Sequence, residues 1–474
     1  MSKLQYTPTI GLEIHAELET ETKMFCNSKN DTDEVRPNVN ICPICMGHPG
    51  TLPAVNKQAV KHVLKVGVAL GGTTADYTEF DRKNYFYPDI PKGYQISQYA
   101  HPLVKGGELK GVTLTRIHLE EDTATSEHEE GDHSLVNFNR AGVPLMELVT
   151  EPVIKSSTEA GDFARELQLV LRSLSVSEAH MEKGEMRIEA NISVSATKDL
   201  GTKVEVKNLN SFPSVERAIE YEVERHIKLL EKGEKVVQET RGWDEQKGIT
   251  YSQRLKEDSH DYRYFPDPDI PKFLLSEVPE FAKEVLVKEL PELPWQKRER
   301  FKALGIKPED VEIFLENEKI GAFFEKVCSF LENQADLVKL TSNYIVTDLL
   351  GLTKEGALSG EGFLVTPEAF AELIRMTKSG KLSSRGAKDI LKVLVEEGGE
   401  PASTADRLGL LQQSDEVGLE TLVQKVISNN QKVVEEYKKG KTASLQFLIG
   451  QGMKESKGSA NPGVLRKMII EKLS

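Results

Sequence analysis

Four segments of the N-terminal half alternate between apolar and polar residues, and this alternation constrains the fold more than any other feature of the chain. Neighbouring side chains of a β-strand point to opposite faces of its sheet, so each segment has one apolar and one polar face. The segments are TIGLEIHAEL (9–18), TRIHLEED (115–122), MRIEANISV (186–194) and TKVEVKNLNSF (202–212). Together they predict an antiparallel sheet whose open face carries a polar site.

The polar faces of these segments carry residues that bind hard cations and anions. Glu13 and His15 share one face of the first segment, and three consecutive acids, from Glu120 to Asp122, end the second. Carboxylates that crowd together repel one another unless a cation or solvent compensates. Oxygen ligands with a single histidine favour Mg²⁺ or Mn²⁺ over zinc. For any one strand taken alone, a solvated polar face is the alternative interpretation.

A second feature is the aromatic and cationic segment FDRKNYFYPDIPKGYQISQ, residues 80–98. Its two prolines and one glycine interrupt any long helix or strand. Arg82 and Lys83 suit the binding of phosphate oxygens, and the aromatic rings suit stacking on a base. The alternative is a loop that packs over a sheet edge. For Tyr85 and Tyr87 both roles stay open.

Three cysteines form a candidate zinc site. Cys42 and Cys45 have the two-residue spacing of a zinc knuckle, and Cys26 precedes them. A structural zinc ion takes four ligands, so His48, Asp31 or a water would have to complete the site. The alternative is three free thiols in a reducing compartment.

Composition restricts the class of protein. A chain of 474 residues with 29% charged and 38% hydrophobic residues is typical of a soluble protein of two to four domains. No segment approaches the ~18 apolar residues of a membrane span, and the N-terminus lacks the apolar region of a secretion signal. Four cysteines do not make a disulfide framework. We therefore expect a cytoplasmic protein without membrane contact.

Charge is unevenly distributed along the chain. The formal net charge is −14, which argues against a general nucleic-acid-binding surface. Residues 431–474 nevertheless contain nine Lys/Arg against four Asp/Glu. A basic end on an acidic body is typical of a protein that contacts nucleic acid locally, although ordinary C-terminal helices also look like this.

The rest of the chain is predicted to be largely helical. Residues 55–70 form a helix, and Ser156 and Glu159 form a capping box that opens another helix to Leu174. Beyond Pro291 the pattern is helical throughout, with a break at residues 398–401.

Several long motifs resemble the GatB/GatE family, the B subunits of the aspartyl/glutamyl-tRNA amidotransferases, over nearly the whole chain. The matching stretches are GLEIHAEL (11–18), NICPICMGHPGTLP (40–53), the 80–98 segment, RIHLEEDTATSEH (116–128), NRAGVPLMELVTEP (139–152), EANIS (189–193), KVEVKNLNSF (203–212), DYRYFPDPD (261–269) and GQGMKESKGSANP (450–462).

The resemblance implies an α+β fold in three domains. An N-terminal antiparallel-sheet cradle domain with the kinase and transamidase site would span residues 1–290. An all-α domain would span 291–402, and a small all-α tail of the YqeY type, which contacts tRNA, would span 403–474.

The resemblance also implies an ATP-dependent carbon–nitrogen ligase that uses glutamine as amide donor. This chain would phosphorylate the side-chain carboxylate of Glu-tRNA(Gln) or Asp-tRNA(Asn) with ATP and Mg²⁺. Ammonia from an amidase, the A subunit, would then displace phosphate, and a small C subunit would complete a heterotrimer. The rival interpretations are a non-catalytic tRNA-binding scaffold and a metal-dependent kinase for the carboxylate of a free metabolite.

On this basis we assign roles to individual residues. The expected catalytic residues are Glu13, His15, Glu121 and Lys83. The expected magnesium ligands are Glu13, His15, Glu120, Glu121 and Glu189. The expected contacts to ATP or acyl-phosphate oxygens are Arg82, Lys83, Lys207, Asn208 and Arg263, since the chain has no glycine-rich phosphate loop of the G-x-x-x-x-G-K-[ST] type.

Two positions depart from the family pattern. Ser28 stands where family members with a full zinc site have a fourth cysteine, so Cys26, Cys42 and Cys45 form an incomplete zinc site. Glu189 stands where the family often has Asp, which lengthens the side chain by one methylene.

Overall fold

The computed structural model describes residues 6–127, 133–255, 262–352, 364–412, 416–456 and 460–473. The chain divides into two compact units, Met1–Pro294 and Trp295–Ser474. Strands and helices are mixed in the first unit, whereas the described residues of the second unit form helices and connecting turns. The predicted α+β class is confirmed. The three-domain division with boundaries at 290 and 402 stays a prediction.

Among the described residues, the strands all lie in the first unit, and most of them are short. They are β1 (Thr7–Glu17), β2 (Thr73–Thr74), β3 (Tyr77–Thr78), β4 (Asp81–Asn84), β5 (Tyr94–Ser97), β6 (Val104–Lys105), β7 (Glu108–Leu109), β8 (Val112–Glu121), β9 (Thr125–Glu127), β10 (Leu135–Asn137), β11 (Pro144–Thr150), β12 (Met186–Ser195), β13 (Val204–Leu209), β14 (Glu239–Asp244), β15 (Ile249–Leu255), β16 (Phe265–Pro266) and β17 (Phe273–Leu274).

The helices of the first unit are α1 (Lys57–Ala69), α2 (Ser157–Ser173), α3 (Phe212–Glu231) and α4 (Lys283–Glu289). Those that follow are α5 (Pro294–Ala303), α6 (Pro308–Glu316), α7 (Glu318–Phe330), α8 (Ala335–Asn343), α9 (Leu350–Leu352), α10 (Pro367–Lys378), α11 (Ser384–Glu397), α12 (Pro401–Leu408), α13 (Glu416–Asn429), α14 (Gln431–Lys438), α15 (Ala443–Glu455) and α16 (Pro462–Leu473). A π-helical segment, Tyr344–Leu349, joins α8 to α9. None of the described helices is both long and apolar enough to cross a bilayer.

One large sheet organises the first unit. Its strand order is β15-β14-β13-β12-β1-β11-β8-β6-β2, with β7 paired to β8. All its pairings are antiparallel except that of β13 with β14. The four alternating segments of the sequence form β1, β8, β12 and β13. The alternation does not predict β11, which lies between β1 and β8.

The apolar face of the central strands is buried. Ile10, Leu12 and Ile14 of β1 are at most 1% exposed. Helix α3 packs against β12 and β13, and α2 packs against α3. Helix α2 has the predicted N-cap, because the Ser156 hydroxyl accepts a hydrogen bond from the Glu159 N–H at 3.1 Å. The Glu159 carboxylate accepts the N–H of Lys155 at 2.8 Å rather than that of Ser156, so the reciprocal half of the predicted capping box is shifted by one residue. With the helices on the apolar face, the other face of the sheet is left for polar side chains.

Two apolar cores hold the helices of the second unit together. In the first, the stacked rings of Phe314 and Phe324 lie 4.2 Å apart and pack against Phe301. Helix α12 belongs to this core through Ala405, which is fully buried. Helices α13, α15 and α16 form the second core, with Leu448 and Ile469 fully buried.

Candidate functional site

A row of three ionisable side chains crosses the centre of the sheet. His15 of β1 pairs with Glu147 of β11, and Glu147 pairs with His118 of β8. Nε2 of His15 lies 3.5 Å from Oε2 of Glu147, and Nε2 of His118 lies 3.3 Å from the same oxygen. Strand pairing alone sets this arrangement, since side chains directly opposite one another on neighbouring strands share a face.

A second row lies beside the first. Glu13 of β1 pairs with Glu189 of β12, and the Glu13 carboxylate lies 3.9 Å from Nε2 of His15. Lys207 of β13 forms an ion pair of 3.0 Å with Glu189. The predicted residues Glu13, His15, Glu189 and Lys207 are therefore neighbours on one face of the sheet.

Lys83 and Glu120 close the site at the β8 side. Nζ of Lys83 lies 3.4 Å from Oε2 of Glu120, and it lies 5.4 Å from the ring centre of Tyr262. Burial acts to lower the pKa of Lys83, but the attraction of Glu120 outweighs burial and raises this pKa well above its usual value. Lys83 therefore keeps its positive charge at the edge of the site.

We name Glu13, His15, His118, Glu120 and Glu147 the Glu–His cluster. Burial and the charges of Glu147 and Glu189 raise the pKa of Glu13 to about 7. Burial lowers the pKa of His15, but its hydrogen bond to Glu147 and the nearby carboxylates outweigh burial and raise it to about 9. Burial is the main cause of the Glu13 shift, whereas the carboxylates around His15 cause the rise of its pKa and keep a proton on this histidine.

The donor set of the Glu–His cluster fits a hard divalent cation. Two groups of three ligand atoms converge, Glu13–His15–Glu147 and His118–Glu120–Glu147, and within each group the atoms lie within 4.8 Å of one another. Carboxylate oxygens are the ligands that Mg²⁺ and Mn²⁺ take in proteins, with histidine more suited to Mn²⁺. An ion bound here would replace the proton on His15 and would favour the ionised form of Glu13.

Glu121 lies apart from this cluster. Alternation along β8 directs its side chain away from that of Glu120, and its carboxylate is 2.7 Å from Nζ of Lys92 and accepts the N–H of Ile96 at 2.9 Å. The structure does not bring Glu121 together with Glu13 and His15.

One predicted phosphate contact, Arg82, is directed away from the cluster. Arg82 points to the other side of β4 from Lys83, where it is held by Asp267 at 2.7 Å and Asp269 at 2.8 Å. Asn208 and Arg263 are exposed, and both have positive φ angles, of 64° and 45°. Lys83 lies beside Glu120 and Lys207 lies beside Glu189, on the acidic part of the sheet face.

Glu147 and His118 were given no role by the sequence. The signal for Glu147 is a single acid within the apolar run PLMELVT, which forms the buried strand β11. A buried carboxylate needs charged or hydrogen-bonding partners, so an acid in such a run indicates a site. His118 lay on the predicted polar face of its segment, but only the register with β11 shows that it contacts Glu147.

The three cysteines converge, but they supply three ligands of a zinc site. Their sulfur atoms lie within 4.8 Å of one another, and Sγ of Cys42 is 3.8 Å from Sγ of Cys45. The Ser28 hydroxyl lies 3.8 Å from Sγ of Cys45, and the buried Lys23 amine lies 3.9 Å from it. A hydroxyl is a weak zinc ligand, and an ammonium group opposes a second cation. The thiols fit zinc only in part.

Comparison with known proteins agrees with this architecture. The family model described as the GatB/GatE catalytic domain matches residues 8–279, and a second model, described as a GatB domain, matches residues 322–473. Curated proteins that are named as the B subunit of aspartyl/glutamyl-tRNA(Asn/Gln) amidotransferase align over 98–100% of their lengths.

The relative from Caldanaerobacter subterraneus subsp. tengcongensis is 43% identical over 482 residues, which cover 99% of this chain and 100% of the relative. The relative from Thermotoga maritima is 44% identical over 486 residues, with 99% of each chain covered. The relative from Crocosphaera subtropica is 41% identical over 494 residues, with 99% of this chain and 98% of the relative covered. Both the models and the relatives span the sheet unit and the helical unit, and the chain therefore belongs to the GatB/GatE family.

Proposed function

We propose that this chain is the B subunit of a tRNA-dependent amidotransferase, which converts Glu-tRNA(Gln), Asp-tRNA(Asn) or both to the amides. Full-length relatives at 41–44% identity carry that name. The observation that carries the proposal is the Glu–His cluster on the polar face of the sheet, with Lys83 at its edge. A pure tRNA-binding scaffold gives no reason for such a cluster, and a kinase for a free metabolite gives no reason for the basic tail.

The reaction needs activation because a carboxylate is a poor electrophile, since its leaving group would be oxide. Attack of a carboxylate oxygen on the γ-phosphorus of ATP forms an acyl phosphate and releases ADP. Attack of ammonia on the acyl carbon then breaks the carbon–oxygen bond to phosphate and gives the amide, and the proton that the nitrogen loses goes to the departing inorganic phosphate. Phosphoryl transfer of this kind depends mainly on positioning and on neutralisation of charge.

The cluster residues suit the binding of magnesium. Glu13, His15, Glu120 and Glu147 would hold Mg²⁺, with Glu189 next to Glu13, and the ion would neutralise phosphate charge when bound. A direct role for Glu121 in the same site would require its release from Lys92.

Two lysines suit the binding of the transferred phosphoryl group. Lys83 and Lys207 lie at opposite edges of the acidic face and place a cation on either side of it. Because the chain has no glycine-rich phosphate loop, side chains of the sheet would have to hold the phosphates. Arg82 would contact phosphate only if it were released from Asp267 and Asp269, whereas the exposed Asn208 and Arg263 would add phosphate contacts.

The proposed partners follow from the same reaction. An amidase, the A subunit, would release ammonia from glutamine, and a small C subunit would complete the heterotrimer. The substrate tRNA would contact the basic tail. Zinc has no step in this scheme, and a zinc ion at Cys26, Cys42 and Cys45 would have a structural role.

Reconstitution tests the proposal. The chain is combined with its two partner subunits, ATP, Mg²⁺ and glutamine, and each mischarged tRNA is added separately. We expect amide formation that requires ATP, with ADP released in proportion to amide. Absence of amide with both tRNAs would refute the proposed function, and ADP release with free glutamate but not with charged tRNA would favour the metabolite kinase.

A further inference from the structure

A line of side-chain hydrogen bonds leads from Tyr85 through Gln95 to Glu120. The Tyr85 hydroxyl donates to Oε1 of Gln95 at 2.8 Å. Nε2 of Gln95 donates to Oε1 of Glu120 at 2.6 Å and to the backbone carbonyl of Glu121 at 2.6 Å. Gln95 is 5% exposed, so solvent does not compete for these bonds.

The chemistry of the partners fixes the orientation of the Gln95 amide. Both groups that face Nε2 are acceptors, so a flipped amide would place its own oxygen against two other oxygens. Oε1 must therefore face Tyr85, and the Tyr85 hydroxyl must donate. Burial raises the pKa of Tyr85, which keeps this proton in place.

The hydrogen bond from Gln95 leaves Glu120 free to act in the Glu–His cluster. Its Oε1 accepts from Gln95 and its Oε2 faces Lys83 at 3.4 Å. Each carboxylate oxygen has a second lone pair, and the Glu120 ligand atom still lies within 4.8 Å of those of His118 and Glu147. Both oxygens of the Glu120 carboxylate are therefore held in place, and each keeps a lone pair that can bind a cation.

The neighbours of Tyr85 restrain the ring as well. Its ring centre lies 6.0 Å from that of Tyr87 and 5.7 Å from that of Tyr262, in edge-to-face geometry. A hydroxyl on a ring held from two sides is a fixed donor rather than a mobile one.

We infer that Tyr85 and Gln95 are positioning residues that fix the Glu120 carboxylate for divalent-cation binding in the Glu–His cluster. Mutation of residues that orient ligand carboxylates in this way typically lowers metal affinity or activity 10–100-fold. The inference assigns Tyr85 a role other than stacking on a base. The catalytic importance of this positioning rests on the proposed function. The positioning itself can be tested by cation binding, without any measurement of catalysis.

The test measures Mn²⁺ binding to the assembled complex by electron paramagnetic resonance of free Mn²⁺, with neither ATP nor tRNA present. Tyr85→Phe removes only the hydroxyl, and Gln95→Met keeps the length of the side chain while removing its hydrogen bonds. Tyr221→Phe, on α3, is the matched control for loss of a tyrosine hydroxyl. Thermal unfolding and tRNA affinity are measured for each variant.

We expect the Kd for Mn²⁺ to rise about tenfold in Tyr85→Phe and at least as much in Gln95→Met, and to stay at the wild-type value in Tyr221→Phe. Tyr85→Phe should unfold cooperatively, with only the small destabilisation expected when one buried hydrogen bond is lost, and should keep the wild-type tRNA affinity, whereas a merely structural role would lower Mn²⁺ and tRNA affinity together. Unchanged Mn²⁺ affinity in a folded Tyr85→Phe complex would overturn the inference, as would absence of Mn²⁺ binding by the wild type. If Mn²⁺ binding responds as expected but the wild type forms no amide, the proposed function fails while the positioning role stands.

Discussion

Oε2 of Glu147 lies 3.5 Å from Nε2 of His15, across the pairing of β11 with β1. Burial acts to raise the pKa of Glu147, but the two histidines beside it outweigh burial and hold that pKa well below its usual value. Glu147 is therefore an anion at the centre of the sheet, and it links the two groups of potential cation ligands.

The substitution Glu147→Gln removes this charge while keeping the shape of the side chain. We expect loss of at least 100-fold in ATP-dependent amide formation and weaker binding of Mn²⁺, because a shared ligand of both groups is lost. The exposed residue Glu178 offers the matched control Glu178→Gln. Amide formation within threefold of wild type would exclude Glu147 from the site.

Glu13 and His15 are expected to act in the phosphorylation step rather than in tRNA binding. Glu13→Gln or His15→Ala should abolish ADP release, because both residues belong to the Glu–His cluster. The Kd for tRNA should stay within about twofold of the wild-type value. The two measurements are made on the same purified heterotrimer. Near-wild-type ADP release would contradict the metal assignment, and a parallel loss of tRNA binding would point to a structural effect.

The sequence predicted the strands that alternate and missed the one that does not. β1, β8, β12 and β13 each have one apolar and one polar face, so their pattern is visible in the chain. β11 is buried at almost every position, and a continuous apolar run does not distinguish a strand from a helix. Its absence from the prediction explains why Glu147 was missed.

Side-chain partners were less predictable than strands. Arg82 and Lys83 are adjacent in sequence and suited phosphate equally well, but the strand β4 directs them to opposite sides. Arg82 forms an ion pair with Asp267, a residue that lies far from it in the sequence. Because such contacts depend on tertiary structure, residue type alone could not separate the two cations.

A buried carboxylate outside the site makes stability depend on pH. Glu222 of α3 is fully buried, and Arg225 and Arg241 contact it at 2.9 and 3.1 Å. Burial acts to raise its pKa, but the contact with His226 at 3.2 Å and the hydrogen bonds from Arg225 and Thr250 outweigh burial and lower it to about 2.

Glu222→Gln should therefore lower the free energy of unfolding of the first unit by roughly 3 kcal/mol near neutral pH. This figure is the free-energy equivalent of the lowering of the Glu222 pKa from 4.5 to about 2. A carboxyl whose pKa is lower in the folded state stabilises that state above its unfolded pKa. The difference in the free energy of unfolding between wild type and variant should have its full value above pH 4.5 and should decrease as the pH falls towards 2. Urea unfolding across this range measures it, with the exposed Glu224→Gln as control, and a difference that does not change with pH would contradict the assignment.

A test of the tail by truncation needs a cut that spares the helical core. The predicted boundary at 402 falls within α12, whose Ala405 is buried in the first core of the second unit. Removal of residues 416–474 takes away α13 to α16 and leaves α12 whole. We expect weaker tRNA binding with a smaller dependence on salt, and ATP hydrolysis that needs no tRNA should persist.

Point substitutions in the tail separate its charge from its fold. Lys438 and Lys439 are exposed at the end of α14, so Lys438→Ala with Lys439→Ala should leave the second core of that unit intact. If each lysine neutralises one phosphate, the slope of log Kd against log salt concentration should fall by about 1.4 to 1.8, because each contact contributes about 0.7 to 0.9. Lys228→Ala, on an exposed face of α3, is the control and should leave the slope unchanged. A wild-type slope in the double variant would exclude these two lysines as tRNA contacts, whereas a lower affinity with an unchanged slope would assign them to folding of the tail.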